Sequence, residues 1–160
     1  MKLYGNLTNR LEENKQYKNL TVGTDITMYH WSDRTCYYVT KVIDAKHIFV
    51  KKYFVCADHD KATGMGHQDW VYFKTLKEMH RYLVDHGFDA FEYDESCEAV
   101  EEEWVYRYNK WMRKVIYTTE NYCTDRELKS LHTNGYYVRY FNLSGNISIG
   151  VRDYFYDWEF

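Results

Sequence analysis

The sequence predicts an α+β fold: a small antiparallel β-barrel or strongly bent sheet that carries a helical insertion. Three observations lead there. Strand-like runs occupy both ends, residues 20–74 and 136–160; capping signatures and a three-to-four-residue apolar repeat mark 75–135 as helical; and the last eleven residues, Gly150 to Phe160, hold five aromatic rings. So many rings are poorly left in water, so the tail is expected to dock on the body of a single domain spanning residues 1–160.

The elements follow in order. Ile26–Trp31, a polar turn at Ser32–Thr35 and Tyr37–Ile43 read as a hairpin, which His47–Val55 extends as a third strand. Ala57–Gln68 is polar with two glycines, a loop, and Asp69–Lys74 is a fourth strand. Thr75-Leu76-Lys77-Glu78 has capping-box spacing, with Leu76, Met79, Leu83 and Val84 at helical intervals and Gly87 as the stop. A longer helix is expected from about Asp94, because Cys97, Val100, Trp104, Tyr108, Trp111 and Val115 step by three or four and share one face. Its first half holds Glu98, Glu101, Glu102 and Glu103 and its second Arg107, Lys110, Arg113 and Lys114, a polarity that suits the helix dipole. Such a face must pack on the sheet or on a second subunit, so a homo-oligomer is one expectation. Thr124-Asp125-Arg126-Glu127 opens another helix that Asn134-Gly135 ends. Tyr136–Leu143 and Ile147–Arg152, joined by Ser144-Gly145-Asn146, complete the chain as a hairpin.

Composition limits function. Apolar residues make up 45% and aromatics 19%, far from the signature of disorder. Tyrosine, present 18 times, pairs a burying ring with a polar tip and suits ligand-lined grooves. The absence of proline beside abundant Tyr, Lys and Asn also fits the codon bias of an AT-rich genome. A net charge of −3 argues against coating nucleic acid by bulk electrostatics, though not against a local pocket. Met1–Asn6 has no apolar signal core and no run approaches the roughly 20 apolar residues of a membrane span, so the expected location is the cytosol. Cys36, Cys56, Cys97 and Cys123 are far apart, which in a reducing compartment reads as buried or inert thiols.

No G-x-S-x-G, P-loop, H-E-x-x-H or G-x-G-x-x-G occurs, so no catalytic residue and no cofactor is assigned. Cys56, Asp58, His59, Asp60 and His67 crowd one loop, but their spacing matches no zinc motif and no metal is assigned. Cys97 lies at the expected helix start without a neighbouring histidine and is not read as a nucleophile.

Two end motifs carry a resemblance. Gly23, the turn Ser32-Asp33-Arg34, Tyr38-Val39 and Val42 are followed by Gly64-Met65-x-x-Gln68-Asp69-Trp70 and by Gly150-x-Arg152-Asp153-x-Phe155-Tyr156-Asp157-Trp158-x-Phe160. The pattern resembles a family of short, largely uncharacterised proteins encoded by bacteriophages and prophages. It covers residues 20–74 and 136–160; the segment 75–135 departs from the short form. The resemblance implies a phage accessory protein of counter-defence type, acting in the cytosol of the host cell.

Two constellations give that class a mechanism. Trp31, Asp33, Arg34 and Tyr38 lie around the first turn, and Arg152, Tyr154 and Trp158 in the last strand and tail. If the first and last strands are neighbours, arginines beside stacking rings suit a phosphate attached to a base. An Asp–Arg pair that pins the tail to the turn accounts for the same residues. The expected function is therefore non-enzymatic sequestration of a small nucleotide-type immune signal of the host. The alternative is inhibition of a host defence nuclease by protein–protein contact, with Glu101, Glu102 and Glu103 imitating phosphates; an enzyme that degrades the signal is third. A solvated face balanced by its own basic half explains the same glutamates.

Overall fold

A computed structural model describes residues 20–58, 60–61, 69–89, 91–143 and 145–156 of the chain. Its strands are β1 (Asp25–Tyr29), β2 (Arg34–Asp44), β3 (His47–Lys52), β4 (Phe54–Ala57), β5 (Trp70–Phe73), β6 (Glu102–Arg107), β7 (Lys110–Tyr117), β8 (Tyr137–Asn142) and β9 (Asn146–Ile149). Helix α1 spans Leu76–Asp85 and α2 spans Asp125–Asn134. Seven strands form one antiparallel sheet in the order β8-β7-β6-β3-β2-β1-β9, and β4 pairs with β5 in a separate ribbon.

The sheet is strongly bent rather than closed. Its edges are β8 and β9, yet these are consecutive in the chain, with Asn146 only four residues after Asn142. Seven strands laid flat span about 29 Å at roughly 4.8 Å per step. Four residues reach at most about 14 Å. The sheet must therefore curl until its edges approach, although β8 hydrogen-bonds β7 and β9 hydrogen-bonds β1. The expected barrel is corrected to this open, curled sheet, and the expected last hairpin to a link that crosses from one edge to the other. Only glycine fits at position 145 of the link, because a Cβ there would overlap the carbonyl of Tyr29.

Alternation along the strands sorts side chains to two faces. The inner face buries Ile26, Met28, Val39, Ile48, Val50, Trp104 and Trp111 as one cluster, with Ile147 and Ile149 packed against it. The outer face of β1 and β2 carries a second cluster of Cys36, Tyr38 and Tyr53, covered by Val55, Tyr72 and Tyr154. There the β4–β5 ribbon, backed by α1, makes a second layer.

Both capping boxes form as expected: Thr75 and Thr124 each accept from the backbone N–H three residues on, and Glu78 and Glu127 reach back to the cap N–H. Gly135 ends α2 in the left-handed region at φ 81°, where glycine carries no side-chain penalty. The long helix expected after Asp94 is not one. Glu95–Cys97 make a single 3-10 turn, and the rest is the β6–β7 hairpin. The insertion at 75–135 thus contributes two strands to the large sheet besides the two helices. The charge polarity has a cross-strand origin: Glu103 faces Lys114 in the ladder, and Glu102 reaches Arg113 at 3.4 Å. The third strand also divides, since β3 stops at Lys52 and Phe54–Ala57 leave for the ribbon, where β5 is their partner.

Candidate functional site

The described part of the tail docks on β1 and its surroundings through Phe155, while Tyr156 is exposed and Trp158 and Phe160 lie outside the described residues. Gly150 N–H donates to Asp25 O at 2.6 Å; the buried Thr27 hydroxyl donates to Val151 O at 2.7 Å and accepts from Asp153 N–H at 3.1 Å. Arg34 forms an ion pair with Asp153 and its N–H donates to Phe155 O at 2.9 Å. Tyr154 N–H donates to the Tyr72 hydroxyl at 2.9 Å, and its ring meets Trp70 edge-on at 4.7 Å. The Arg–Asp pair is the tie between tail and turn, with the Arg34 guanidinium set against Tyr29 and Phe155 at 5.7 and 5.3 Å.

The anticipated arginine fork is not assembled. Arg152 lies over Tyr72 and Tyr53 at 4.5 and 5.5 Å, and the Tyr53 hydroxyl donates to Asp25 at 2.6 Å. Trp31 is 99% exposed in the turn, and Asp33 is half-buried beside it. Tyr38 is buried, its hydroxyl directed to Lys74 O at 3.5 Å and its ring beneath the Lys74 ammonium at 5.0 Å. Trp158 lies outside the described residues, as do His59 and His67 of the polar loop. Of the seven expected ligand residues, Tyr154 lines a cleft built by the described residues.

That cleft, about 450 Å³, opens where the outer layer meets the end of the large sheet. Tyr37, Tyr53, Phe54 and Tyr154 supply its rings, with Lys52 and Glu102 as its charged groups. Met79, Cys97 and Val100 complete the opposite wall. Each element delivers its residue for a local reason. Tyr37 and Lys52 are partners across the β2–β3 ladder, and the departure of the chain from the sheet after Lys52 turns Tyr53 and Phe54 to successive sides.

The opposite wall is fastened by Glu98. Its carboxylate accepts from Leu76 N–H at 2.8 Å, Lys77 N–H at 3.1 Å and the Tyr93 hydroxyl at 2.9 Å, so it holds the start of α1 against the loop that presents Cys97 and Val100. Desolvation pulls the Glu98 pKa upward, but these hydrogen bonds and Lys51 outweigh it and leave it below the ordinary value. Burial pushes Tyr37 and Tyr53 up to about 12, with Glu102 and Asp25 respectively adding to the rise. Both phenols therefore remain neutral near pH 7; the Tyr53 proton is already donated to Asp25, and both rings can lie against another ring.

The three glutamates of the alternative reading sit at the start of β6 and divide between faces. Glu101 accepts from the Thr40 hydroxyl at 2.6 Å; Glu102 accepts from Trp104 Nε1 at 3.0 Å and pairs with Arg113; Glu103 pairs with His47 at 2.6 Å and Lys114 at 3.1 Å. They form no continuous acidic stripe. Among the described residues, no group of three His, Cys, Asp or Glu side chains is arranged to hold a metal ion.

Sequence reasoning missed Tyr37, Lys52, Tyr53 and Phe54 as a group. A signal existed in Lys51-Lys52-Tyr53-Phe54, cations running directly into rings, but it sat inside a segment read as one strand. Comparison with protein-family profiles, with characterised proteins and with solved structures finds no match to this chain. No helix among the described residues is long and apolar enough to cross a membrane.

Proposed function

We propose that the protein binds a small nucleotide-type ligand in this cleft and sequesters it without transforming it, as a phage-encoded counter-defence protein directed at an immune signal of the host would. The observation that carries the reading is the lining: four rings and Lys52 around about 450 Å³. That volume lies in the roughly 300–1,000 Å³ range of small-molecule sites. Rings stack on any base, and a lysine at the margin attracts a phosphate as a point charge. The neutral phenol of Tyr37 adds a hydrogen-bonding group without adding charge, while the Tyr53 hydroxyl is committed to Asp25. Retention by stacking and charge requires no group that attacks the ligand.

Calorimetric titration with a panel of cyclic and linear nucleotides tests this. The parent protein should bind at least one of them, and Lys52→Ala, at an exposed strand end, should weaken that binding about tenfold while melting stays unchanged. If the parent binds none at high micromolar concentration, or if Lys52→Ala binds as the parent does, the reading fails.

A further inference from the structure

The β6–β7 hairpin ends in a two-residue turn, Tyr108-Asn109, between the paired Arg107 and Lys110. Both turn residues have positive φ, 53° and 60°, the type I′ geometry that matches strand twist. Asn-Gly is the favoured pair for such a turn, and a tyrosine at its first position is conformationally unfavourable. Strain of this kind is held at functional sites more often than elsewhere. Here its result is a ring 77% exposed at the tip of the hairpin.

The surroundings of that ring are basic and aromatic. Arg107 lies against Tyr108 at 5.4 Å and against Tyr140 of β8 at 4.2 Å, and Tyr140 is itself 37% exposed. Tyr140 is the ladder partner of Lys114. This corner of the outer face therefore gathers Arg107, Lys110 and Lys114, the last paired with Glu103, in a chain whose net charge is −3. Among the described residues, neither Arg107 nor Lys110 has a carboxylate within ion-pair distance. The arrangement concentrates positive charge and exposed rings where the molecule as a whole is acidic.

We propose that this corner is a second binding surface, separate from the cleft, for single-stranded nucleic acid. Arg107 and Lys110 attract the phosphates, while Tyr108 and Tyr140 offer ring faces to unstacked bases. A duplex hides its base faces in the stack, so the rings select the single strand. The proposal does not depend on the ligand of the cleft.

The test is fluorescence anisotropy with labelled oligothymidylate and oligouridylate, at low and at physiological salt, on the parent and on Tyr108→Gly. Glycine accepts positive φ, so this variant should melt at or above the temperature of the parent, and it lacks the ring. Both oligonucleotides should bind the parent, more weakly as salt rises, and Tyr108→Gly should bind about tenfold more weakly, the loss of one stacked base. Arg107→Ala with Lys110→Ala should flatten the salt dependence, whereas Lys52→Ala should leave oligonucleotide binding intact. Absence of binding to the parent at low salt, equal binding by Tyr108→Gly, or displacement by polyglutamate as effective as by unlabelled oligonucleotide would each overturn the proposal, the last in favour of an acidic protein partner.

Discussion

The two halves of the curled sheet share one inner core but differ on the outer face. Over β1 and β2, the ribbon, α1 and the docked tail cover Cys36, Tyr38 and Tyr53, and the cleft opens at the margin of that cover. Over β6–β8 the outer face presents Arg107, Lys110, Tyr108 and Tyr140 to solvent. The difference teaches where apolar surface is needed. A strand buried on both faces can place rings and thiols outward, as Cys36 and Tyr38 do; a strand wet on one face answers with cations and ring edges. Covering creates a concavity for a small ligand, and leaving the face bare creates a platform for an extended one.

A shared inner core implies that neither half survives its loss. Trp104 is fully buried, packed on Tyr37 at 5.0 Å and bonded through its indole N–H to Glu102. Trp104→Ala should cost about 3–5 kcal/mol, the usual range for a deleted core aromatic ring. Melting followed separately by tail and hairpin signals should shift together. If the tail half kept its transition while β6–β8 lost theirs, the single core would be disproved.

The tail that covers β1 and β2 is fastened by individual hydrogen bonds and should open on its own. Tyr72→Phe removes the hydroxyl that accepts from Tyr154 N–H, leaving a half-buried amide without that partner. An unsatisfied buried donor costs about 1–3 kcal/mol. Hydrogen exchange at the Tyr154 amide should accelerate accordingly, with the β6–β7 amides unchanged. Equal acceleration in both halves would mean that the tail is part of the global unit rather than a local cover.

Much of this division could be read from the chain, and the failures have physical causes. Local signals succeeded: both capping boxes and the glycine stop of α2 depend on residues within one turn of each other. The docking of residues 150–155 also followed, with Tyr154 and Phe155 half-buried. The β6–β7 hairpin was hidden because its turn is Tyr-Asn rather than a glycine pair. Trp104 and Trp111, seven apart, share the inner face of a hairpin as readily as they share a helix face. The pairing of β9 with β1 depends on contacts more than a hundred residues apart, which no local pattern encodes. The cleft belongs to that class too, for Val100 and Tyr154 reach the Tyr37–Lys52 ladder pair only through the tertiary fold.

The smallest expected effect lies at the far end of the bare half, where α2 is fastened to β8. Glu127 receives the Arg139 guanidinium at 2.9 Å through both Nε and one terminal nitrogen, and the same arginine reaches the carbonyls of Asn121 and Tyr122. The Arg139 hydrogen bonds, with the Thr124 N–H second, lower the Glu127 pKa from 4.5 to about 2. A carboxylate with a lowered folded value stabilises the native state fully above its unfolded value and loses that contribution as pH falls through the folded one. The α2 contact should therefore be at full strength above about pH 4.5 and fade toward pH 2. The group is solvent-accessible, so the gain is screened and the change should be local. Amide protection in α2 measured across that range should decline on acidification and lose its dependence on Glu127 in Glu127→Gln. A profile for Glu127→Gln identical to that of the parent would remove the ion pair as the cause, and would leave the Tyr117–Tyr137 stack, 5.1 Å between centroids with Arg139 against both rings, as what holds this end of the sheet.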